Sequence, residues 1–298
     1  MRRTLRIFPI YYLTIFVLLL FSKSTGTNIK ADFLYYFTYT SNFLFFKTKE
    51  WDGIISHLWT LAVEEQFYLI WPWIILFINR KYLLHSIGIF ILIGIVSQYL
   101  LSGIKMYAIL TFACFDSFGL GALLAWIITY AKDKIAKFYS SLSVITLIST
   151  FLFILNIFWS EWLIPFRTIV SIMALWAITY IVLHHETNSL KFKIILNNKM
   201  LIFLGKISYG IYLYHNIVPK MLNSKIIDKY FNPLLPDLLN KKYWKILILV
   251  ENFILVVVVS WLSFVLIEKS FLSLKKYFEF PNKSRAEQKV LRKQVSKV

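Results

Sequence analysis

Eight apolar runs, each long enough to cross a membrane as a helix, constrain the fold of this chain more than any other feature. About 20 residues of α-helix cross the ~30 Å hydrocarbon core of a bilayer. With 58% hydrophobic residues, the chain is also more apolar than an ordinary soluble domain. The sequence predicts an all-α protein, a polytopic transmembrane helix bundle of about eight spans. The runs lie near residues 7–22, 59–78, 83–103, 108–130, 141–159, 164–184, 200–219 and 244–267.

The net charge of +18 is carried mainly by basic residues between the apolar runs and in the C-terminal tail. In a soluble protein such a charge would suggest nucleic acid, but here it indicates topology and contact with anionic membrane lipid. We therefore expect no nucleic-acid partner. Lys and Arg are more frequent on the side that holds both termini, which predicts a multi-pass protein of the cell membrane with both termini in the cytoplasm.

Three further segments have distinct interpretations. The first 26 residues have the general form of a signal peptide, but Pro9, Tyr11 and Tyr12 interrupt the apolar stretch and favour a retained helix. The segment from Phe33 to Phe46 is aromatic, short and rich in polar residues, so we expect an interfacial or re-entrant helix. The single Cys114 excludes an intramolecular disulfide, and we interpret it as a packing residue.

The run at 59–78 carries two adjacent carboxylates, Glu64 and Glu65, near one end. An ionised side chain at mid-bilayer costs roughly 3 kcal/mol on insertion scales, so such residues usually face a polar cavity. His57, Thr60, Glu64 and Tyr68 follow the spacing i, i+3, i+7, i+11, which places them on one face of a helix. The sequence therefore predicts a helix with one polar face and one apolar face.

Two other runs also carry polar groups. Gly205, Ser208, Tyr212 and His215 share one helical face, and Gly205 would permit a close approach of another helix. We expect this face to meet the Glu64 face across a cavity. Asp116 is either a cavity carboxylate or a packing carboxylate, with an arginine as one candidate partner. No metal-binding spacing such as H-E-x-x-H occurs, so we expect no metal and no bound cofactor.

Four separated motifs and the final helix resemble the acyltransferase-3 family, membrane enzymes that move acyl groups, usually acetyl, from acyl-CoA to cell-surface carbohydrates. The second motif matches the family's H-x-W-S-L-x-V-E-E-Q-F-Y block almost residue for residue. The matching stretches are RRTLRIFPIYY at the start, HLWTLAVEEQFYLIWP from His57, FDSFGLGALLAW from Phe115, FLGKISYGIYLYHNIV from Phe203, and LIEKSF at the end of the last run.

The resemblance implies a membrane O-acyltransferase that uses acyl-CoA as donor substrate and a hydroxyl of an exported carbohydrate as acceptor. It covers residues 1–271, followed by a basic cytoplasmic tail at 272–298. Family members usually have about ten helices, and the first carries an arginine and a histidine thought to be essential. This chain resembles the family without its first two helices, so an upstream segment or a partner would supply them. The alternative is a non-catalytic polysaccharide export or assembly protein, or an inactive truncated remnant.

The resemblance and the chemistry of acyl transfer together suggest roles for the polar residues. A base must take the proton of the acceptor hydroxyl, and a histidine or a carboxylate of raised pKa is the usual base. Guanidinium groups bind phosphate oxygens bidentately, although basic residues also mark any cytoplasmic helix end. In the alternative interpretation His57 is a solvated interfacial residue, the carboxylates only stabilise packing, and Glu268 is an interface anchor. The catalytic candidates are Glu64, Glu65, His57 and His215; the donor- and substrate-binding candidates are Arg2, Arg3, Arg6, Tyr68, Asp116, Ser208 and Tyr212.

Overall fold

The computed structural model of the chain describes residues 3–158, 165–184, 197–222 and 241–278, and these residues form helices and connecting turns without any strand. The α-helices are α1 (Thr4–Leu20), α2 (Ser22–Thr25), α3 (Phe33–Phe37), α4 (Ser41–Thr48), α5 (Leu58–Phe77), α6 (Arg80–Leu100), α7 (Phe115–Tyr130), α8 (Ile135–Phe158), α9 (Phe166–His184), α10 (Lys199–Tyr214), α11 (Ile217–Leu222), α12 (Lys241–Ser263) and α13 (Lys269–Ser273).

Each of the eight predicted spans coincides with one of the long helices, which confirms the polytopic helical bundle. In the described part of the chain, five helical stretches are long and apolar enough to cross a membrane. Helix α1 is apolar but has only 17 residues. Helix α5 has 20 residues, and its consecutive Glu64, Glu65 and Gln66 lower its apolarity. The five stretches are Arg80–Leu100, Thr111–Tyr130, Lys132–Leu155, Phe166–His184 and Ile248–Phe278.

The chain divides into two compact units, a central unit of residues 28–198 and a terminal unit of residues 1–27 and 199–298. In the central unit, α6 packs along α7 and α8 packs along α9. Glycines permit the first of these approaches, because a Cβ atom on Gly94 would overlap the backbone of Asp116. The second pair shares an apolar core around Leu142 and Leu175, and Trp176 Nε1 donates a hydrogen bond of 2.9 Å to Ser143 Oγ.

An aromatic cluster fixes α5 against α6 and α7. Phe67 of α5 stacks on Phe118 of α7 with ring centroids 4.1 Å apart, and Phe90 of α6 stacks on Phe115 at 4.0 Å. Trp71 completes the cluster, with its ring 5.3 Å from Phe67 and 5.7 Å from Phe90. Stacked aromatic pairs contribute energy beyond the burial of their area and constrain ring orientation. Together these contacts hold the face of α5 that carries Phe67 and Trp71 against α6 and α7.

The aromatic segment predicted as one interfacial or re-entrant helix is two short helices, α3 and α4. The break lies at residues 38–40, where Tyr39 adopts a left-handed backbone conformation with φ of +54°. Each helix is far shorter than a bilayer. Helix α4 packs against α5 and buries Asn42 and Phe45. The segment is therefore part of the packed central unit, and its position in a membrane remains a prediction.

In the terminal unit, α10 packs along α12, and α1 packs against a π-helical turn, Phe264–Glu268, that follows α12. The close approach between α10 and α12 occurs at Gly210, where an added Cβ would lie 3.1 Å from the Ser260 Cβ. At Gly205 an added Cβ meets no atom within 4 Å, and the expected approach of another helix at that position remains a prediction. The two glycines lie on different faces of α10, and Gly210 is on the packed one.

Candidate functional site

The polar stripe predicted from the sequence lies along α5 in the central unit. His57 immediately precedes the helix, and its carbonyl accepts a hydrogen bond of 3.2 Å from the Thr60 hydroxyl. His57, Glu64, Glu65 and Tyr68 are all half-buried. These side chains therefore border the packed interior, where a carboxylate is partly desolvated but still accessible. Such a position suits a group that exchanges a proton with a substrate.

Gln66, directly after the two carboxylates, belongs to a closed ring of side-chain hydrogen bonds that the sequence did not reveal. Gln66 Nε2 donates to Asn42 Oδ1 at 2.9 Å, Asn42 Nδ2 donates to Thr111 Oγ1 at 3.1 Å, and the Thr111 hydroxyl donates to Gln66 Oε1. The second hydrogens of the two amides reach backbone carbonyls of Tyr39 at 2.7 Å and Ile109 at 3.3 Å. The ring thus joins α4, α5 and the turn before α7.

Arg167, at the start of α9, holds the same turn from another side. Its Nη1 lies 3.0 Å from the Ala113 carbonyl oxygen and 3.0 Å from the Cys114 sulfur, and its Nη2 donates to the Ala108 carbonyl. Cys114 is buried, as expected for a packing residue. Arg167 lies more than 50 residues from the turn along the chain, so no local sequence pattern indicates this contact.

Asp116 is fully buried in the first turn of α7. Its carboxylate accepts hydrogen bonds from Thr168 Oγ1 at 2.5 Å, from Gln98 Nε2 at 3.0 Å and from Ser117 Oγ at 3.4 Å. These donors belong to α6, α7 and α9, so the carboxylate joins three helices. The contacts favour the packing interpretation of Asp116 over the cavity interpretation. Its role in substrate binding remains a prediction.

The arginine motif lies in the terminal unit. Arg3 is exposed, and Arg6 is half-buried at the first turn of α1, with its guanidinium 3.3 Å from the Lys206 carbonyl oxygen of α10. Tyr209 of α10 donates a hydrogen bond of 3.2 Å to the Ile7 carbonyl, which fixes this end of α1. Arg2 lies outside the described residues. The arrangement leaves the charged ends of Arg3 and Arg6 near the surface, where an anion can reach them.

The fourth motif also lies in the terminal unit, and two of its polar side chains contact backbone carbonyls of α10. The Ser208 hydroxyl donates to the Gly205 carbonyl at 3.0 Å, and Ser208 is exposed. His215 is exposed, and its Nδ1 lies 2.6 Å from the Tyr212 carbonyl oxygen. The expected meeting of this face with the Glu64 face would join the two units, and it remains a prediction.

Glu268, which the sequence analysis interprets as an interface anchor, is buried in the structure. It is 1% exposed at the end of the π-helical turn, and neither carboxylate oxygen has a hydrogen-bond partner among the described residues. A π-helical turn inserts one extra residue into an α-helix and is often found at functional sites. The sequence signal was present as an acidic residue in the closing motif LIEKSF, but its position beside Lys269 favoured the interface interpretation.

Two acidic residues lie together near the start of the central unit. Asp52 accepts a hydrogen bond of 2.7 Å from the Tyr36 hydroxyl and one of 3.1 Å from the Asn28 backbone N–H. Partial burial, and secondarily the negative charge of Asp52, raises the pKa of the neighbouring Asp32 carboxyl above its ordinary value. Among the residues that the structure describes, no group of three or more His, Cys, Asp or Glu side chains could hold a metal ion.

The structure thus distributes the predicted site residues over both units. His57, Glu64, Glu65 and Tyr68 share α5 in the central unit, which also contains Asp116. The other described candidates belong to the terminal unit; they are Arg3, Arg6, Ser208, Tyr212 and His215.

Comparisons with known proteins identify the family. A family model described as an acyltransferase domain, of the acyltransferase-3 family, matches residues 1–268. The O-acetyltransferase OatA of Staphylococcus aureus is 28% identical over 190 residues, covering 58% of this chain and 31% of that protein. The peptidoglycan O-acetyltransferase OatA of Listeria monocytogenes and the putative peptidoglycan O-acetyltransferase YrhL of Bacillus subtilis are each 37% identical over 82 residues, covering 24% of this chain and 13% of theirs.

The matched region is therefore less than a third of the length of these relatives. No solved structure matches the chain. The family model nevertheless spans the four separated motifs, from the arginine motif of α1 onward, and ends at Glu268 within the closing LIEKSF stretch. The protein belongs to the acyltransferase-3 family, and its helical membrane bundle is an acyltransferase domain.

Proposed function

We propose that the protein is an integral-membrane O-acyltransferase that transfers an acyl group, in the first instance acetyl, to a hydroxyl of an exported carbohydrate of the cell envelope. The observation that carries this proposal is the family match over residues 1–268. The relatives are O-acetyltransferases, and two of their names specify peptidoglycan, which makes the peptidoglycan glycan strand the first acceptor to test.

The half-buried carboxylates of α5 supply the base that this chemistry needs. In our proposal Glu64 or Glu65, assisted by His57, takes the proton of the acceptor hydroxyl as its oxygen attacks the acyl carbonyl carbon. A C–O ester bond forms, the bond between the acyl carbon and the donor's leaving atom breaks, and the proton is passed to the leaving group.

Acyl-CoA is the donor that we propose, because Arg3 and Arg6 present guanidinium groups near the surface at one end of α1. Guanidinium groups bind phosphate oxygens with paired hydrogen bonds. With both termini in the cytoplasm, this end of α1 meets cytoplasmic CoA, and the His57 end of α5 faces the exported acceptor. We propose the cell membrane as the location, with both termini in the cytoplasm, because Lys and Arg are more frequent on the side that holds the termini.

The experiment is a complementation assay in a strain that lacks the gene, with the full chain expressed from a plasmid. Base-released acetate is measured on purified peptidoglycan and, separately, on the other surface glycans. The wild-type chain restores O-acetylation, and Glu64→Gln with Glu65→Gln does not, at equal abundance in the membrane. Glu50→Gln is the matched control, because Glu50 is an exposed carboxylate of the same unit. If the wild-type chain restores no ester on any glycan, the proposed function is wrong.

The donor is tested by binding of radiolabelled acetyl-CoA to the full chain in nanodiscs. Arg3→Ala combined with Arg6→Ala weakens binding at least tenfold, because two charge-assisted phosphate contacts are lost. Arg80→Ala is the control, since Arg80 is an exposed arginine at the start of α6, on the same predicted side of the membrane. Equal binding by all three proteins would mean that the donor is not held by this motif.

A further inference from the structure

We propose that the ring of Gln66, Asn42 and Thr111 is a positioning device for the acyl-transfer site. In this proposal the ring sets the rotation of α5 about its own axis and the placement of α4 and residues 107–114 beside it, and thereby the rate of transfer. The proposal rests on the proposed function for its effect on catalysis. Its structural basis lies entirely in the central unit.

The direction of the hydrogen bonds in the ring is fixed by chemistry. The Tyr39 and Ile109 carbonyls only accept hydrogen bonds, so the Gln66 and Asn42 amide nitrogens must face them. The Asn42 amide oxygen then accepts a hydrogen bond from Gln66 Nε2, and the Gln66 amide oxygen accepts one from the Thr111 hydroxyl. Every amide hydrogen and oxygen of the two side chains is used. If either amide were flipped, its oxygen would face two groups that already act as hydrogen-bond acceptors.

A ring satisfied in this way holds only one register of its three segments. Asn42 is 0% exposed and Thr111 is 6% exposed, so water does not replace a lost partner there. A slip of α4 or of the turn before α7 by one residue would bury several polar groups without partners. Fully satisfied buried networks rigidify a site for this reason, whereas apolar packing tolerates small displacements.

The ring contacts α5 on the side opposite the polar stripe. Successive helical residues are rotated by about 100°, so Gln66 lies about 200° around the helix from Glu64. Phe67, the next residue, stacks on Phe118 of α7. The ring and this stack together prevent rotation of α5 and leave the Glu64 face toward the remaining space. A rotation of 20° would displace a carboxylate by an ångström or more, and misplacements of this size cost catalysis heavily.

The turn that Thr111 contributes is itself held from a second element. Arg167 of α9 donates to the carbonyls of Ala108 and Ala113, which flank the two positions that bond the ring. The backbone of residues 108–113 is therefore fastened to α4 and α5 through the ring and to α9 through Arg167. Loss of the ring removes the hydrogen bonds that join both α4 and the turn to α5, but it leaves the Arg167 contacts and the apolar packing of α4 on α5. Both segments therefore loosen locally without unfolding.

The test uses substitutions that keep shape and change hydrogen bonding. Thr111→Ser retains the hydroxyl, Thr111→Val removes it at nearly the same volume, and Asn42→Asp replaces the amide donor by an acceptor. Thr48→Val on α4 is the matched control, because the Thr48 hydroxyl donates to the Leu44 carbonyl of its own helix and accepts from the nearby Glu50 backbone N–H, and neither contact joins α4 to α5 or to the turn before α7. Each full-length protein is reconstituted in nanodiscs. Hydrogen exchange of residues 39–48 and 107–114 and the kinetics of acetyl transfer are then measured.

We expect Thr111→Val and Asn42→Asp to raise exchange in both segments together. We also expect them to lower kcat at least tenfold per folded molecule and to leave the KM for the acyl donor unchanged. Thr111→Ser and Thr48→Val stay within twofold of the wild type in every measurement. A protein with coupled loss of protection but unchanged kcat would overturn the positioning role, and unchanged exchange in both variants would overturn the ring itself. If the wild type transfers nothing, the proposed function fails, while the exchange data still decide whether the ring holds the three segments.

Discussion

Replacing Gly94 by alanine tests a close contact between α6 and α7, the one that places Asp116. The added Cβ would lie 2.9 Å from both Cα and Cβ of Asp116, with its backbone nitrogen closer still. Favourable carbon–carbon separations are about 3.5–4.0 Å, so α6 and α7 must separate by roughly 1 Å. Overpacking of this kind costs about 1–3 kcal/mol. The intrinsic helix preference of alanine over glycine offsets at most about 1 kcal/mol of that cost.

Gly88→Ala is the control, because Gly88 lies in the same helix and an added Cβ there meets no atom within 4 Å. Only the helix preference operates at this position, so Gly88→Ala is neutral or stabilising. We expect the two variants to differ by about 1–3 kcal/mol in free energy of unfolding, which is the packing cost alone, because the helix preference stabilises both variants equally and cancels. The measurement is reversible unfolding of the purified full chain in mixed micelles. Equal stability of the two variants would refute the packing of α6 on α7 at this point.

Two further predictions concern topology and pH. In intact cells, we expect a membrane-impermeant thiol reagent to label Glu50→Cys and not Lys81→Cys, because both positions are exposed but lie at opposite ends of α5. The buried Cys114 stays unlabelled in both variants. Labelling of Lys81→Cys and not Glu50→Cys would mean that the topology is inverted. Asp32→Asn stabilises the protein at pH 7 but not below pH 3.8, because the raised pKa of Asp32 means that its ionisation destabilises the folded state as pH rises. The effect is small and weakens with added salt, since Asp32 is largely solvated; a larger benefit at low pH than at pH 7 would contradict it.

The long helices were predictable because hydrocarbon thickness sets their length, and apolar runs of that length are visible in any sequence. The polar stripe of α5 was predictable because helical spacing alone brings His57, Glu64 and Tyr68 to one face. What a helical residue meets on a neighbouring helix is a property of the whole packing arrangement. The sequence alone therefore did not identify Gly210 as the glycine at which α10 approaches α12.

The hydrogen-bond ring shows the same limit for polar groups. Gln66 was visible within the family motif, but its partners are 24 and 45 residues away in segments with no signal of their own. In the sequence, Arg167 is one more basic residue between two apolar runs. Its contacts with the Ala108 and Ala113 carbonyls cannot be predicted from the charge pattern. The burial of Glu268 was not predicted because an adjacent lysine suggests solvent, whereas the π-helical turn directs the carboxylate inward.

That turn also makes the last long helix tolerant of a change in its length at one place. A π-helical turn amounts to one residue inserted into an α-helix, and the helix accommodates it without breaking. The wider turn covers about the same rotation as one residue fewer in regular α-helix, so deleting a single residue between Phe264 and Glu268 would restore α-helix with little rotation of the segment downstream. The end of the helix would keep the side that packs against α1. The same deletion in a regular part of the helix would rotate every later residue by about 100°.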